Sequence, residues 1–261
     1  MNPFGDADRI GLIGDTHGEL RFASAALRQL AERGVMCSVV AGDFGFVWGG
    51  DRVDLDSLST LASELGHTLL FVDGNHEDFI TLLGYEVGSD GVRWVAPSIG
   101  HLPRGSRFEV AGVRVAAMGG ANSIDRWQRR PGYSWWPEES ITEADLERLG
   151  SDPVDVLIGH DAPDPLSALD VYLMMTKSGW SIGALAYASE GRRQFTRAFK
   201  AVRPRLYVGG HYHHFVYQVI HVDDASGGFE SRVLLLDMDM GTGRNVGILS
   251  LPSLEVEVFH V

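Results

Sequence analysis

Short apolar runs, each followed by a glycine and a polar residue, recur along the chain and alternate with stretches of helical spacing. Arg9 to Gly14 runs into Asp15, Val35 to Ala41 into Gly42-Asp43, and Thr68 to Val72 into Asp73-Gly74-Asn75. Such runs predict strands buried on both faces. Between them, Leu20 to Arg33 places Leu20, Ala23, Leu27, Leu30 and Ala31 on one helical face, and Gly34 stops it. Asp54 to Leu65 predicts a second helix, closed by Gly66. This β-α-β-α-β order implies parallel pairing with helical crossovers.

The middle of the chain changes character. Ser106 to Val110 and Gly112 to Met118 predict a hairpin turned at Ala111-Gly112. Gly119-Gly120-Ala121-Asn122 then leads into Ser123 to Glu139, which has neither helical nor strand period. Thr142 to Leu149 predicts a helix capped by Thr142. Asp155 to Ile158 predicts a strand running into Gly159-His160, and Asp161 to Tyr187 reads as irregular. Gly191 to Val202 predicts a basic helix with a solvated face, and Arg205 to Val208 a strand into Gly209-Gly210-His211. The tail, Phe215 to Val261, predicts three or four antiparallel strands, with turns at Ala225 to Gly228 and Gly241 to Asn245. No linker or repeat interrupts the chain. The expectation is one α/β domain over residues 1–261, two packed mixed β-sheets flanked by helices, with an antiparallel β tail at about 215–261.

Composition narrows the function classes. At 44% hydrophobic and 10% aromatic the chain can bury a sizeable core. Its 22 basic and 35 acidic side chains give a net charge of −13, which argues against binding extended nucleic acid. Bound cations would neutralise some of that charge locally. Cys37, the one cysteine, lies in an apolar run and is expected as a buried thiol. The start, Met1-Asn2-Pro3-Phe4-Gly5-Asp6, lacks a basic segment and an apolar stretch of signal length, and no run reaches the roughly 20 residues of a membrane span. A soluble, cytoplasmic protein without a membrane partner is expected.

The strand-end residues carry the candidate chemistry: Asp15-Thr16-His17, Gly42-Asp43, Gly74-Asn75-His76-Glu77, Gly159-His160-Asp161 and Gly210-His211-Tyr212-His213-His214. Asp15 and His17, two apart on extended backbone, point the same way, and His211 and His213 repeat that spacing. Asp43 offers two oxygens and can bridge two cations. The neutral amide oxygen of Asn75 suits a hard ion and leaves His76 free for proton work. Taken singly, Gly-Asp is ordinarily a turn and a lone histidine a satisfied core residue. Convergence of all five at strand ends predicts a two-metal hydrolytic centre.

In this order the motifs resemble those of the calcineurin-like metallophosphoesterases, over residues 9 to about 215. Hydrolases of the metallo-β-lactamase type would need His-x-His-x-Asp-His, whereas His211-Tyr212-His213 continues as His214-Phe215-Val216. The resemblance implies a four-layer αββα sandwich and two divalent cations, most simply Mn²⁺, with Fe or Zn²⁺ also suited. It implies Asp15, His17, Asp43 and His213 on the first ion, and Asp43, Asn75, His160 and His211 on the second. A hydroxide bridging the ions would attack phosphorus in line, and His76 would protonate the leaving oxygen or steady the developing charge.

Departures from the family pattern narrow the class. Many members read Gly-Asp-x-x-Asp-Arg, and protein phosphatases use that second Asp and Arg to support the histidine and grip phosphate. Here Phe46 and Val47 occupy those positions, which disfavours such an activity. Glu77, Asp78 and Asp161 all remain open as the group orienting His76. Arg126, Arg129 and Arg130 lie amid Trp127, Tyr133, Trp135 and Trp136. This segment reads either as a clamp on phosphate and base or as a surface loop paired to Glu138 and Glu139. Arg126 is the expected substrate contact, with Asn122 beside it, and His214 and His221 are expected as supporting histidines. The substrate implied is a small, nucleotide-like phosphodiester or phosphomonoester. A nuclease on short single strands and a non-catalytic scaffold are the alternatives. The tail could pair with a second copy, so homo-oligomerisation stays open.

Overall fold

The computed structural model describes residues 2–223 and 227–261. The first sheet is built on three parallel strands, β1 (Arg9–Ile13), β2 (Cys37–Val40) and β3 (Thr68–Phe71), linked by helices α1 (Leu20–Glu32) and α2 (Val53–Glu64). A short helix, α3 (Phe79–Leu83), precedes β4 (Arg93–Ala96) and β5 (Ile99–His101), and β5 pairs parallel with β3. The hairpin β6 (Arg107–Val110) and β7 (Val113–Met118) opens the second sheet. Helix α4 (Glu143–Leu149), strand β8 (Val156–Gly159), helices α5 (Ser167–Thr176) and α6 (Ile182–Val202), and strand β9 (Leu206–Gly209) follow. The expected Thr142 cap is present as a capping box with Asp145.

The chain closes with β10 (Val216–Val222), β11 (Phe229–Leu235), β12 (Val246–Ser250) and β13 (Glu255–Phe259). The sheets run β13-β12-β1-β2-β3-β5-β4 and β10-β11-β9-β8-β7-β6. The tail is therefore not one antiparallel unit. β12 joins β1 antiparallel in the first sheet, whereas β11 joins β9 parallel in the second. Half of the turn expected at Ala225 to Gly228, residues 225–226, falls outside the described residues.

The central strands of each sheet are buried on both faces, as their apolar runs require. Ile10, Leu12, Val39 and Leu70 meet Val115, Ala117, Ile158 and Val208 between the sheets. Ile13, Val40 and Phe71 face outward under Leu27, Leu30 and Leu58 of α1 and α2. Ala116, Leu157 and Tyr207 face outward under Phe195 and Phe199 of α6. The architecture is the expected four-layer αββα sandwich.

Asp161 to Tyr187, read as irregular, instead contains α5 and the start of α6. The α5 sequence is apolar on most sides, with Val171, Met174 and Met175 exposed, so no single face marks it as helical. Helix α6 begins at Ile182, capped by the Ser181 side chain on the Ala184 N–H. Gly191 is not a helix start. It lies against Asn122, where a Cβ would come within 2.8 Å of that side chain. Arg192 does not belong to a solvated face either, since it pairs with Asp170 at 2.8 Å and Asp164 at 3.6 Å.

Candidate metal centre

The parallel strands of both sheets end at one edge, and the five motifs sit on the loops that follow. There Asp15, His17, Asp43 and His213 offer ligand atoms within 4.8 Å of one another, as do Asp43, His160 and His211. The glycine before each of three candidate ligands makes room for another candidate ligand. A Cβ on Gly42 would lie 2.1 Å from His160 Nδ1, on Gly74 2.0 Å from Asp43 Oδ1, and on Gly210 1.9 Å from Asp15 Oδ1. His17, Asp43, His211 and His213 all adopt positive φ, between 45° and 69°. Left-handed non-glycine residues cost on the order of 1–3 kcal/mol each and persist where surrounding structure imposes them.

Hydrogen bonds fix the ligand atoms. Asp43 Oδ1 accepts from the N–H groups of Asn75 and His76, both at 2.8 Å. Asp15 Oδ2 accepts from His211 N–H at 2.9 Å. His160 Nδ1 lies 2.8 Å from the Ala41 carbonyl, which only accepts, so the proton belongs on Nδ1. Its Nε2 lone pair then faces Asp43 Oδ1 at 3.3 Å and Asn75 Oδ1 at 3.2 Å. His17 Nε2 and His213 Nε2 face each other at 3.0 Å. Asp15 Oδ1 is buried without a hydrogen-bond partner.

Lone pairs aimed at one another and an orphaned carboxylate oxygen are costly unless something positive lies among them. The donor set of carboxylate, amide and imidazole fits hard or borderline divalent cations. Without a cation, protons take that role. Burial alone would lower His160, but Asp43 and Asp15 outweigh it and push His160 up to about 10. Burial alone would raise Asp43, but His160, His76 and His17 hold it well below the usual carboxylate range.

His76 follows Asn75 and packs edge-on to His17, with ring centroids 5.0 Å apart. Burial, reinforced by Arg129, lowers its pKa. None of the three acids left open as its orienter makes a hydrogen bond or ion pair to its ring. Glu77 accepts from the N–H groups of Phe44 and Gly45, Asp78 caps α3 at Thr81, and Asp161 accepts from the Tyr212 hydroxyl. Burial and then the Asp43 charge push Glu77 up to about 8. His76 meets Arg129 instead. That guanidinium reaches the His76 ring with Nη2, donates to the Asn75 carbonyl at 3.2 Å, and is held by Asp125 at 2.8 Å.

The substrate expectation therefore shifts along the loop. Arg126 is boxed by the rings of Trp135, Tyr187 and Trp127, at 4.2, 4.6 and 4.8 Å. Asn122 is buried with both ends of its amide engaged, donating to the Tyr187 carbonyl and accepting from Ser140 Oγ, each at 2.8 Å. Both side chains tie the loop to α6. The Asp-x-x-x-Arg spacing of Asp125 and Arg129 was the available signal for the residue that reaches His76. Phe46 and Val47 are core residues. His214 stacks on Tyr172 at 4.1 Å, and His221 is exposed beside Glu230.

Comparison with known proteins agrees with this geometry. The calcineurin-like phosphoesterase family matches residues 8–215. The lariat debranching enzyme of Schizosaccharomyces pombe is 27% identical over 163 residues, 58% of this chain and 34% of that protein. The chain thus spans about a third of that curated relative's length. The protein TT1561 of Thermus thermophilus superposes with a TM-score of 0.56 at 14% identity, over 97% of this chain and 98% of the other. A dimetal phosphatase from Danio rerio does so with a TM-score of 0.51 at 13% identity, over 93% and 92%. The chain belongs to the calcineurin-like phosphoesterases. Among the described residues no helix is long and apolar enough to cross a membrane.

Proposed function

We propose that the protein hydrolyses a small, nucleotide-like phosphodiester or phosphomonoester with two divalent cations, Mn²⁺ being the first choice and Fe or Zn²⁺ also compatible. The observation that carries this reading is the convergence of two ligand groups on Asp43, beside an unpartnered buried oxygen of Asp15. Asp15, His17, Asp43 and His213 would hold one ion, and Asp43, Asn75, His160 and His211 the other. When bound, such ions supply charge neutralisation at the phosphoryl oxygens and ionisation of a water at neutral pH. His76 stands beyond them as the group that hands a proton to the leaving oxygen. Arg129 takes the place of the arginine missing at Val47, steadying His76 and presenting positive charge to phosphate. Because the ligands come from both sheets, residues 1–261 act as one unit in this reading.

Metal-free protein is expected not to hydrolyse bis(p-nitrophenyl) phosphate, and Mn²⁺ to restore the activity. Full turnover by Asp43→Ala in that assay would end the two-cation reading. A second reading, cleavage within short single-stranded nucleic acid, draws on the exposed rings of Trp127 and Tyr133 in the loop that carries Arg129. A panel of cyclic nucleotides, nucleoside monophosphates and short oligonucleotides separates the two.

A further inference from the structure

The Asn75 amide is alike in shape at its two ends and opposite in chemistry, for one end accepts and the other donates. Only the oxygen end can face a cation. In the structure Oδ1 faces His160 Nε2, while Nδ2 donates to Ser123 Oγ at 3.0 Å. Ser123 has a single hydroxyl hydrogen, and it is directed at Glu139 Oε2, 2.5 Å away. The other oxygen of Glu139 accepts from Ser123 N–H and from the Tyr187 hydroxyl, both at 2.9 Å. Ser123 and Glu139 are fully buried. Among the described residues no cationic side chain pairs with this carboxylate, and the donors around it are Ser123, Tyr187 and the Trp135 side chain.

The turn carrying Glu139 is itself anchored to the strand end that carries Asn75. Buried Arg104 donates to the carbonyls of Glu138, Glu139 and Ser140 at 2.9, 3.1 and 2.8 Å, and to Asp73 Oδ2 at 2.6 Å. Asp73 lies two residues before Asn75. The carboxylate and the amide it governs are thus held on one frame.

Resting on the two-cation reading, we propose that Glu139 and Ser123 are positioning residues that set the Asn75 amide with its oxygen toward the second cation site. With its hydrogen committed to Glu139, the Ser123 oxygen can only accept, and so selects the NH₂ end of Asn75. Without Glu139 the hydroxyl is free to donate, Asn75 Oδ1 becomes an equally good partner, and the reversed amide turns its NH₂ group toward the ion. An aspartate at position 75 escapes this dependence because both its ends are oxygens. In the native setting, however, that carboxylate would meet the lone pair of Ser123.

The test is calorimetric titration of the full chain with Mn²⁺, with thermal unfolding followed in parallel. Wild type is expected to bind two ions. Ser123→Ala should weaken the second ion by about 10–100-fold and leave the first unchanged, the usual scale for groups behind a ligand. Glu139→Gln should act in the same direction. Asn75→Asp should weaken binding in the native background yet restore it in the Ser123→Ala background, a reversal that mere loss of packing does not produce. Wild-type affinity for both ions in Ser123→Ala, or a double variant no better than Ser123→Ala, overturns the proposal alone. No Mn²⁺ uptake by wild type overturns the two-cation reading with it.

Discussion

The two candidate ligand groups share Asp43 but are held in different ways. In the group of Asp15, His17, Asp43 and His213, both histidines are part-exposed, at 24% and 36% of their side chains. Among the described residues no protein group holds the far nitrogen of either ring. In the group of Asp43, Asn75, His160 and His211, the His160 ring is pinned through Nδ1 by the Ala41 carbonyl and the Asn75 amide through Nδ2 by Ser123. Partners behind a ligand fix its tautomer and direction before the ion arrives. On the proposed reading, the group with the pinned amide and imidazole holds its ion firmly and the other group exchanges its ion with solvent.

Asp43→Ala should have the largest effect, because it strips a ligand from both groups. Uptake of both ions should fall, and turnover on bis(p-nitrophenyl) phosphate should drop by more than the roughly 100-fold expected for a group behind the ligands. Next come His17→Ala and Asn75→Ala, compared by metal analysis after dialysis against a weak chelator. Wild type should retain one ion, His17→Ala should retain the same one, and Asn75→Ala should retain none. Equal retention by the two variants would remove the distinction between the groups.

Arg129→Ala should lower kcat and raise KM, because it removes the cation at His76. Arg126→Ala should act mainly on stability, through three ring contacts that are worth about 0.5–2 kcal/mol each. Thermal unfolding and steady-state kinetics on both variants separate these outcomes.

The smallest effect lies away from the centre. Burial lowers His67 from 6.5 to about 4, beside Ser38 at 2.8 Å. Between those pH values the unfolded chain takes up a proton that the folded chain refuses, so stability falls as pH drops from about 6.5 toward 4. Urea unfolding of metal-free wild type and His67→Gln over that range should show the variant losing less.

Much of the fold was legible because its strands are buried on both faces. Runs such as Val39-Val40-Ala41 admit few other readings when a glycine and a polar residue follow. The convergence of the five strand-end motifs was legible for the same reason, since strand ends in a parallel sheet share an edge. What stayed hidden depended on contacts between distant segments. Gly191 reads as a helix breaker until Asn122 is found against it. Arg126 and Arg129 look equivalent in a segment without period, and only the folded loop sends one to aromatic rings and the other to His76. Ser123 and Glu139 carry no sequence signal at all, because their roles exist only once sixteen residues of irregular chain have brought them together.

The division of the tail between the sheets bears on how the chain can be cut. The family match ends at Phe215, before β10, β11, β12 and β13. A fragment stopped there would leave β1 and β9 with a row of unpaired N–H and C=O groups along one side. Those strands lead directly to Asp15 and His211. Bare strands of this kind recruit other chains. The shortened protein should therefore fail first by sticking to copies of itself, with the ligand loops disordered by the same event.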